Sequence, residues 1–240
     1  MRFFRKLFSK KNGTIERLEW VIGYRFNDRD LINNALSHRS SLKDTGLESN
    51  ERLEFLGDAI LGLIVSAFLF GKYEDLPEGD LTRMKAMLVN ETVLSRAAMS
   101  FDLGDFLFLS AEEKKAGGNS RPSITADAFE ALLGAVYLDG GFNEAEKLVR
   151  KYILQDHTEI IDDKKLHNYK GELLEFMQAK GETVPYYHVR DQIGPDHDKL
   201  FVVGVYMDNE LLGEGKGKTK KEAEQKAARE AIKTIKQYTR

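Results

Sequence analysis

At 240 residues and 42% hydrophobic content, the chain is long enough for two ordinary domains and apolar enough to bury their cores. Its 36 Lys and Arg against 39 Asp and Glu give a formal charge of -3, so any nucleic-acid signal has to be local. Cysteine is absent, which excludes disulfides, thiolate zinc sites and a cysteine nucleophile and suits a reducing, cytoplasmic setting.

Residues 1–14 form a basic tail whose Phe3, Phe4, Leu7 and Phe8 never join into the apolar run of a signal peptide. No stretch is expected to reach the roughly 18 apolar residues of a membrane helix, so no membrane partner is expected. From Ile15 to about His157 apolar residues recur at helical spacing, as in Leu31, Ile32, Ala35, Leu36 and in Leu53, Leu56, Ile60, Leu61, Ile64. This predicts an all-α domain over 15–157, with breaks at 41–49, 74–78, 112–122 and 139–141. The polar segment TEIIDDKKLH, 158–167, reads as a linker. Beyond it the pattern predicts a helix over 169–179, strands over 186–191, 200–207 and 210–216 with a hairpin turn at Asp208 and Asn209, and a final helix over 219–237. Residues 168–238 are therefore expected to form a small α+β domain of order α-β-β-β-α.

The helical region carries two acidic patterns. In NERLEFLGDAILG, 50–62, Glu51, Glu54 and Asp58 share one face of a helix that is otherwise apolar. In SITADAFEALLGAVYLD, 123–139, Asp127 and Glu130 stand three apart on a second apolar helix. A lone carboxylate of this kind reads most simply as part of a solvated stripe. Two apolar helices that each carry a pair, with Gly57 and Gly134 allowing close approach, point instead to convergence. Like charges about 4 Å apart repel by roughly 4 kcal/mol at an effective dielectric near 20, so a converging set requires protons or cations. All-oxygen ligation without Cys or an adjacent His favours Mg²⁺, with Mn²⁺ as a substitute, over zinc. A di-iron bundle would carry Glu-x-x-His, which neither helix has. Carboxylate-held Mg²⁺ with open water positions suits phosphodiester hydrolysis, and so a nucleic acid or nucleotide substrate.

A local basic signal lies in GEGKGKTKKEAEQKAA, 213–228. Thr219 and Glu222 form a capping-box pattern, which places Lys220 and Lys221 in a first helical turn, against the dipole. A phosphate at that helix end explains the placement, while a solvated charge run is the plainer alternative. Gly217-Lys218-Thr219 is not a nucleotide-phosphate loop, because the pattern's first glycine falls on Leu212. The loop GPDHDKLF, 194–201, carries His197 at its tip.

NERLEFLGDAIL closely resembles the signature of the ribonuclease III family, and ALSHRS at 35–40, EGDLTRMKAMLVN at 78–90 and ADAFEALLGAVYLDGG at 126–141 accompany it in the family's order. The resemblance implies a homodimeric endonuclease that cuts double-stranded RNA, one strand at each of two sites, leaving 5′-phosphate and 3′-hydroxyl ends with a short 3′ overhang. Roles in rRNA and mRNA processing and decay follow from the same resemblance. It implies that Glu54, Asp58, Asp127 and Glu130 bind the metal, with Asp58 and Glu130 catalytic. Glu51 and Glu78 become supporting acidic residues and Phe55 a dimer contact. His38, in the family's HRS turn, takes a structural hydrogen-bonding role rather than that of a general base. The C-terminal segment resembles a double-stranded-RNA-binding domain, which implies RNA contacts from Glu175, Gln178, His197, Lys218, Lys220 and Lys221. Leu174 and Gly171 depart from that pattern and put one minor-groove contact and the start of the first helix in question. A non-catalytic RNA-binding protein that keeps the fold is the alternative reading, as is a role in ribosome assembly; the intact carboxylate set argues against the former.

Overall fold

The computed structural model describes residues 14–41, 48–163, 168–195 and 199–238, the side chains of 236–238 excepted. The basic tail, apart from Thr14, and His197 lie outside the described residues. The chain divides between Leu166 and His167 into two compact units.

In the first unit, Thr14 caps α1 (Ile15–Ile22) by accepting from the Arg17 N–H at 3.3 Å, and Gly23, at φ +78°, ends it. Asp28 caps α2 (Arg29–Ala35) in the same way through the Asp30 N–H at 2.8 Å. The long helices α3 (Glu51–Lys72) and α7 (Pro122–Gly140) form the centre of the unit. Pro122 occupies the first turn of α7, where its missing N–H is not required. Around this pair lie α4 (Glu78–Leu88), α5 (Glu91–Ser100), the short α6 (Ala111–Lys115) and α8 (Phe142–Tyr152). Leu61, Val65, Phe129, Leu132 and Leu133 are fully buried in the shared core.

Three sequence expectations need correction. The break over 112–122 contains α6, because Ser110 accepts from the Glu113 N–H at 3.1 Å and starts a helical turn there. The linker expected over 158–167 begins as helix α9 (His157–Asp162): Ile160 and Ile161 pack on the first core, and the His157 ring meets Phe68 edge-on at 5.0 Å. Residues 164–167 lie outside the described residues. By length and composition α3 is also apolar enough to cross a membrane, with a mean hydropathy of 2.0 over 18 residues. Packing accounts for one face of it, since Leu53, Ile60, Leu61, Ile64, Val65 and Leu69 are buried in the helical core, while Phe55, Leu63 and Phe70 are exposed.

The second unit runs α10 (Tyr169–Ala179), β1 (Tyr186–Ile193), β2 (Leu200–Met207), β3 (Glu210–Gly217) and α11 (Lys220–Tyr238). The three strands form one antiparallel sheet in sequence order, with register shifts after Val189 and Val205. Asp208 and Asn209 both adopt positive φ, the geometry of a two-residue hairpin turn whose twist matches its strands. Val205 lies against Leu173 and Met177 of α10 and Ala227, Ala228 and Ala231 of α11. Gly213, Gly215 and Gly217 alternate along β3 against α11; a β-carbon on Gly215 would fall 2.3 Å from the Ala223 carbonyl oxygen.

Candidate metal centre and nucleic-acid interface

The centre is built where α3 and α7 cross. A β-carbon on Gly134 would lie 2.4 Å from the Leu53 carbonyl oxygen, so the two backbones touch there. Residues i and i+3 or i+4 of a helix share a face, so Glu54 with Asp58, and Asp127 with Glu130, each project together. The crossing brings three of the four into one group: Glu54, Asp127 and Glu130 each offer an oxygen within 4.8 Å of the other two. Asp58, one turn beyond Glu54, is exposed and stands outside that trio. Its charge still acts on Glu130.

Burial, with the negative charges of Asp58, Glu54 and Asp127, pushes the Glu130 carboxyl up to about 8. Burial raises Glu54 as well, helped by Asp127 and Glu51, and raises Asp127, helped by Glu91. The charge of Arg39 opposes these shifts at Glu54 and Asp127 without cancelling them. No His or Cys belongs to the trio, so its donors are all carboxylate oxygens, which suit a hard divalent cation. The residues present therefore fit such an ion.

The start of α3 is fixed by the turn before it. Ser37 pairs with Phe108 in an isolated parallel bridge, the Asn50 N–H donates to the Ser37 carbonyl at 2.9 Å, and the Asn50 carbonyl accepts from the Glu54 N–H at 2.8 Å. His38 belongs to this scaffold. Its Nδ1 accepts from the Ser40 N–H at 3.2 Å and lies 2.9 Å from the Ser40 hydroxyl, which itself accepts from the Ser110 N–H at 3.1 Å. With Nδ1 accepting, neutral His38 carries its proton on Nε2. Burial holds this imidazole below its usual pKa, against the opposing charge of Glu113.

A cleft of about 600 Å³ opens at this level, lined by Glu54, Asp127, Glu51, His38, Arg39 and Arg121 among others. Glu51 is exposed at its edge, accepting from the Ser49 hydroxyl at 2.9 Å and facing Arg39 at 3.6 Å. Glu78 begins α4, exposed, and accepts from the Thr82 hydroxyl at 2.8 Å; it is not brought into the trio. Sequence reasoning missed Arg39, Arg121, Glu91 and Glu113 in this neighbourhood. Each looks like an ordinary surface charge until the fold places it.

Phe55, next to Glu54 in sequence, stands on another face of α3 and is 80% exposed. A second cleft, of about 710 Å³, lies beside it between Leu31, Leu53, Leu56 and Leu138. Asn34, Glu51 and Arg52 also line it, so an exposed aromatic stands beside a recess of leucines with a polar rim, a surface suited to association.

In the second unit Glu175 and Gln178 lie exposed on α10, away from buried Leu173 and Met177, whereas Leu174 is half-buried. The start of α10 is secured by Asn168, whose Oδ1 accepts from the Gly171 N–H at 3.2 Å and from Gln225 Nε2 at 3.0 Å. A β-carbon on Gly171 would lie 2.7 Å from Asn168 Nδ2, so glycine suits this cap. At α11 the Thr219 hydroxyl accepts from the Glu222 N–H at 3.1 Å, while Glu222 accepts from the Lys218 N–H at 2.8 Å, one residue before the expected partner. Lys218, Lys220 and Lys221 are all exposed at this end.

The family described as Ribonuclease-III-like matches residues 28–157, and the double-stranded RNA binding motif matches residues 169–235. Ribonuclease 3 of Magnetococcus marinus is 42% identical over 228 residues, covering 92% of this chain and 93% of its own length. Ribonuclease 3 of Pelotomaculum thermopropionicum is 44% identical over 214 residues, covering 88% and 89%. Among solved structures, the nuclease domain of ribonuclease III from Campylobacter jejuni, which has a region involved in dimer formation, is 44% identical with a TM-score of 0.56. It covers 59% of this chain and is itself covered over 97%.

Proposed function

Because this chain belongs to the ribonuclease III family of enzymes, we propose that it hydrolyses double-stranded RNA at a centre in which Glu54, Asp58, Asp127 and Glu130 hold Mg²⁺, with Mn²⁺ as a substitute. The observation that carries this reading is the convergence of Glu54, Asp127 and Glu130 within 4.8 Å, an all-carboxylate trio of which Glu54 and Asp127 open onto the cleft. When bound, the ion supplies Lewis-acid stabilisation of the charge that a phosphodiester develops during hydrolysis.

The chain's own residues prepare that site. Glu54, Asp127 and Glu130 are held on two packed helices, so little reorganisation is required of them. Burial and the neighbouring carboxylates favour the protonated form of Glu130, and a bound divalent cation would favour its carboxylate instead, since opposite charge lowers a carboxyl pKa. Asp58 and Glu130 take the catalytic roles, and Glu51 and Glu78 add negative charge from the periphery. The products are 5′-phosphate and 3′-hydroxyl ends with a short 3′ overhang, each strand being cut by one protomer of a homodimer that forms through the Phe55 face.

The second unit grips the duplex. Glu175 and Gln178 on α10, together with His197, reach minor grooves, and Lys218, Lys220 and Lys221 meet the phosphates between them. The match to a double-stranded RNA binding motif over 169–235 supports this division. A cytoplasmic place in the processing and decay of rRNA and mRNA fits such an enzyme. The test is incubation of the full chain with a perfect RNA duplex, a single strand and an RNA–DNA hybrid, with Mg²⁺ and with chelator. Cutting confined to the duplex in Mg²⁺ is expected; an intact duplex in both Mg²⁺ and Mn²⁺ would favour the non-catalytic binding protein.

A further inference from the structure

The cleft beside the carboxylate trio holds groups that a metal ion alone does not explain. Arg39 and Arg121 open onto the same space as Glu54 and Asp127. Both guanidiniums repel a divalent cation, and both attract an anion. They come from separate segments, Arg39 from the turn after α2 and Arg121 from the residue before α7. Each is tethered through Nη1 to a carboxylate outside the trio: Arg39 lies 3.6 Å from Glu51 and Arg121 2.7 Å from Glu113. The arginines thus pair with carboxylates outside the trio, and the charge of Arg39 offsets only part of what raises Glu54 and Asp127.

A guanidinium offers five N–H donors in one plane, so a carboxylate at one terminal nitrogen leaves others for a second acceptor. Side-chain exposures of 74% for Arg39 and 44% for Arg121 leave both open to a ligand arriving from solvent. His38, with its proton on Nε2, adds a neutral donor to the same lining. Donors of this geometry match phosphate oxygens, which a guanidinium can take two at a time.

Resting on the endonuclease reading above, we propose that Arg39 and Arg121 seat the phosphodiester backbone of the RNA strand being cut against the Glu54–Asp127–Glu130 trio. The contact is blind to base sequence and independent of the lysines of the second unit. It makes the cleft recognise its substrate by two opposite charges, metal-holding carboxylates and phosphate-holding guanidiniums.

The experiment uses the full chain with a perfect RNA duplex and the variants Arg39→Gln and Arg121→Gln, singly and together. Affinity is measured over a salt series in a Glu130→Gln background, where the duplex stays intact, and single-turnover cleavage is measured in Mg²⁺ without that background change. Each arginine is expected to contribute about 1 unit to the slope of log affinity against log salt. The double variant should also lose on the order of 10²-fold in cleavage rate at saturating enzyme, the scale of losing preorganised charge. The Arg39→Lys and Arg121→Lys pair should restore the slope but only part of the rate, because an ammonium lacks the planar fork. The proposal is overturned if the double Gln variant keeps either the slope or the rate of its parent. If the parent itself fails to cut in Mg²⁺ and Mn²⁺, the endonuclease reading falls and this proposal with it; a cutting parent with equally active arginine variants overturns this proposal alone.

Discussion

A β-carbon on Gly57 would lie 1.8 Å from the carbonyl oxygen of Glu130. The backbones of α3 and α7 meet at this point, and the meeting brings Glu54 to Asp127 and Glu130. Because the clashing atom is backbone inside a helix, it cannot turn aside. Gly57→Ala is expected to destabilise the first unit by about 3 kcal/mol or more, at the upper end of overpacking effects, and to weaken stabilisation by Mg²⁺. Gly71→Ala, in the same helix, is the control, since among the described residues nothing lies within 4 Å of a β-carbon there. It should be neutral or stabilising by up to about 1 kcal/mol. Urea unfolding of the two variants with and without Mg²⁺ checks both, and equal stability of the pair would contradict the account of the crossing.

The raised Glu130 pKa gives a pH dependence with a definite sign. The folded chain holds a proton on Glu130 up to about pH 8, whereas the unfolded chain loses it near the ordinary 4.5. Between those values the folded state binds more protons, so metal-free stability falls as pH rises. Thermal unfolding in chelator should show the melting temperature dropping from pH 5 to pH 8. Glu130→Gln should flatten that dependence, and saturating Mg²⁺ should raise the melting temperature most at pH 8. A metal-free melting temperature that climbs over this range would contradict the repulsion assigned to the trio.

Phe55 is 80% exposed beside the recess formed by Leu31, Leu53, Leu56 and Leu138. If this face carries the self-association, a charge there should break it without touching the trio. Phe55→Glu in the full chain is expected to sediment as a monomer at micromolar concentration while its parent sediments as a dimer. Identical masses for the two would move the dimer contact elsewhere.

Lys220→Ala with Lys221→Ala should weaken duplex binding and flatten its salt slope by roughly 1 to 2 units, if each lysine neutralises about one phosphate. Glu175→Ala with Gln178→Ala should weaken binding by about 1 kcal/mol per lost hydrogen bond and leave the slope nearly unchanged. Salt titrations of the four proteins, the parent and Lys218→Ala included, separate the groups. Equal changes in slope for the lysine and α10 variants would defeat the division between phosphate and groove contacts.

Much of the helical unit was legible because Leu53, Ile60, Leu61 and Ile64 repeat at helical spacing, and the carboxylates stood out because they interrupt that pattern on one face. Gly57 and Gly134 hinted at the crossing, but only the fold shows that Glu54, Asp127 and Glu130 form the tight group while exposed Asp58 acts on Glu130 through its charge. What stayed hidden depends on residues far apart in the chain. Ser110 reaches Ser40, 70 positions away, to fix His38, and nothing in the HRS turn itself announces that partner. Arg39 and Arg121 likewise lack any periodic signal, because their place in the cleft follows from two separate turns. The short α6 was missed because five residues with one cap carry too little pattern to stand out from the surrounding turn residues.

The most direct test of the metal-centre assignment is single-turnover cleavage of a perfect RNA duplex by Glu130→Gln under saturating Mg²⁺, with duplex binding followed in parallel. The substitution keeps the shape of the side chain and removes its charge from the trio. Cleavage is expected to fall by at least on the order of 10²-fold, the scale of losing one preorganised group, while binding stays within a few-fold of the parent. Cleavage at the parent rate would contradict the assignment of Glu130 and, with it, the reading of the trio as the cutting site.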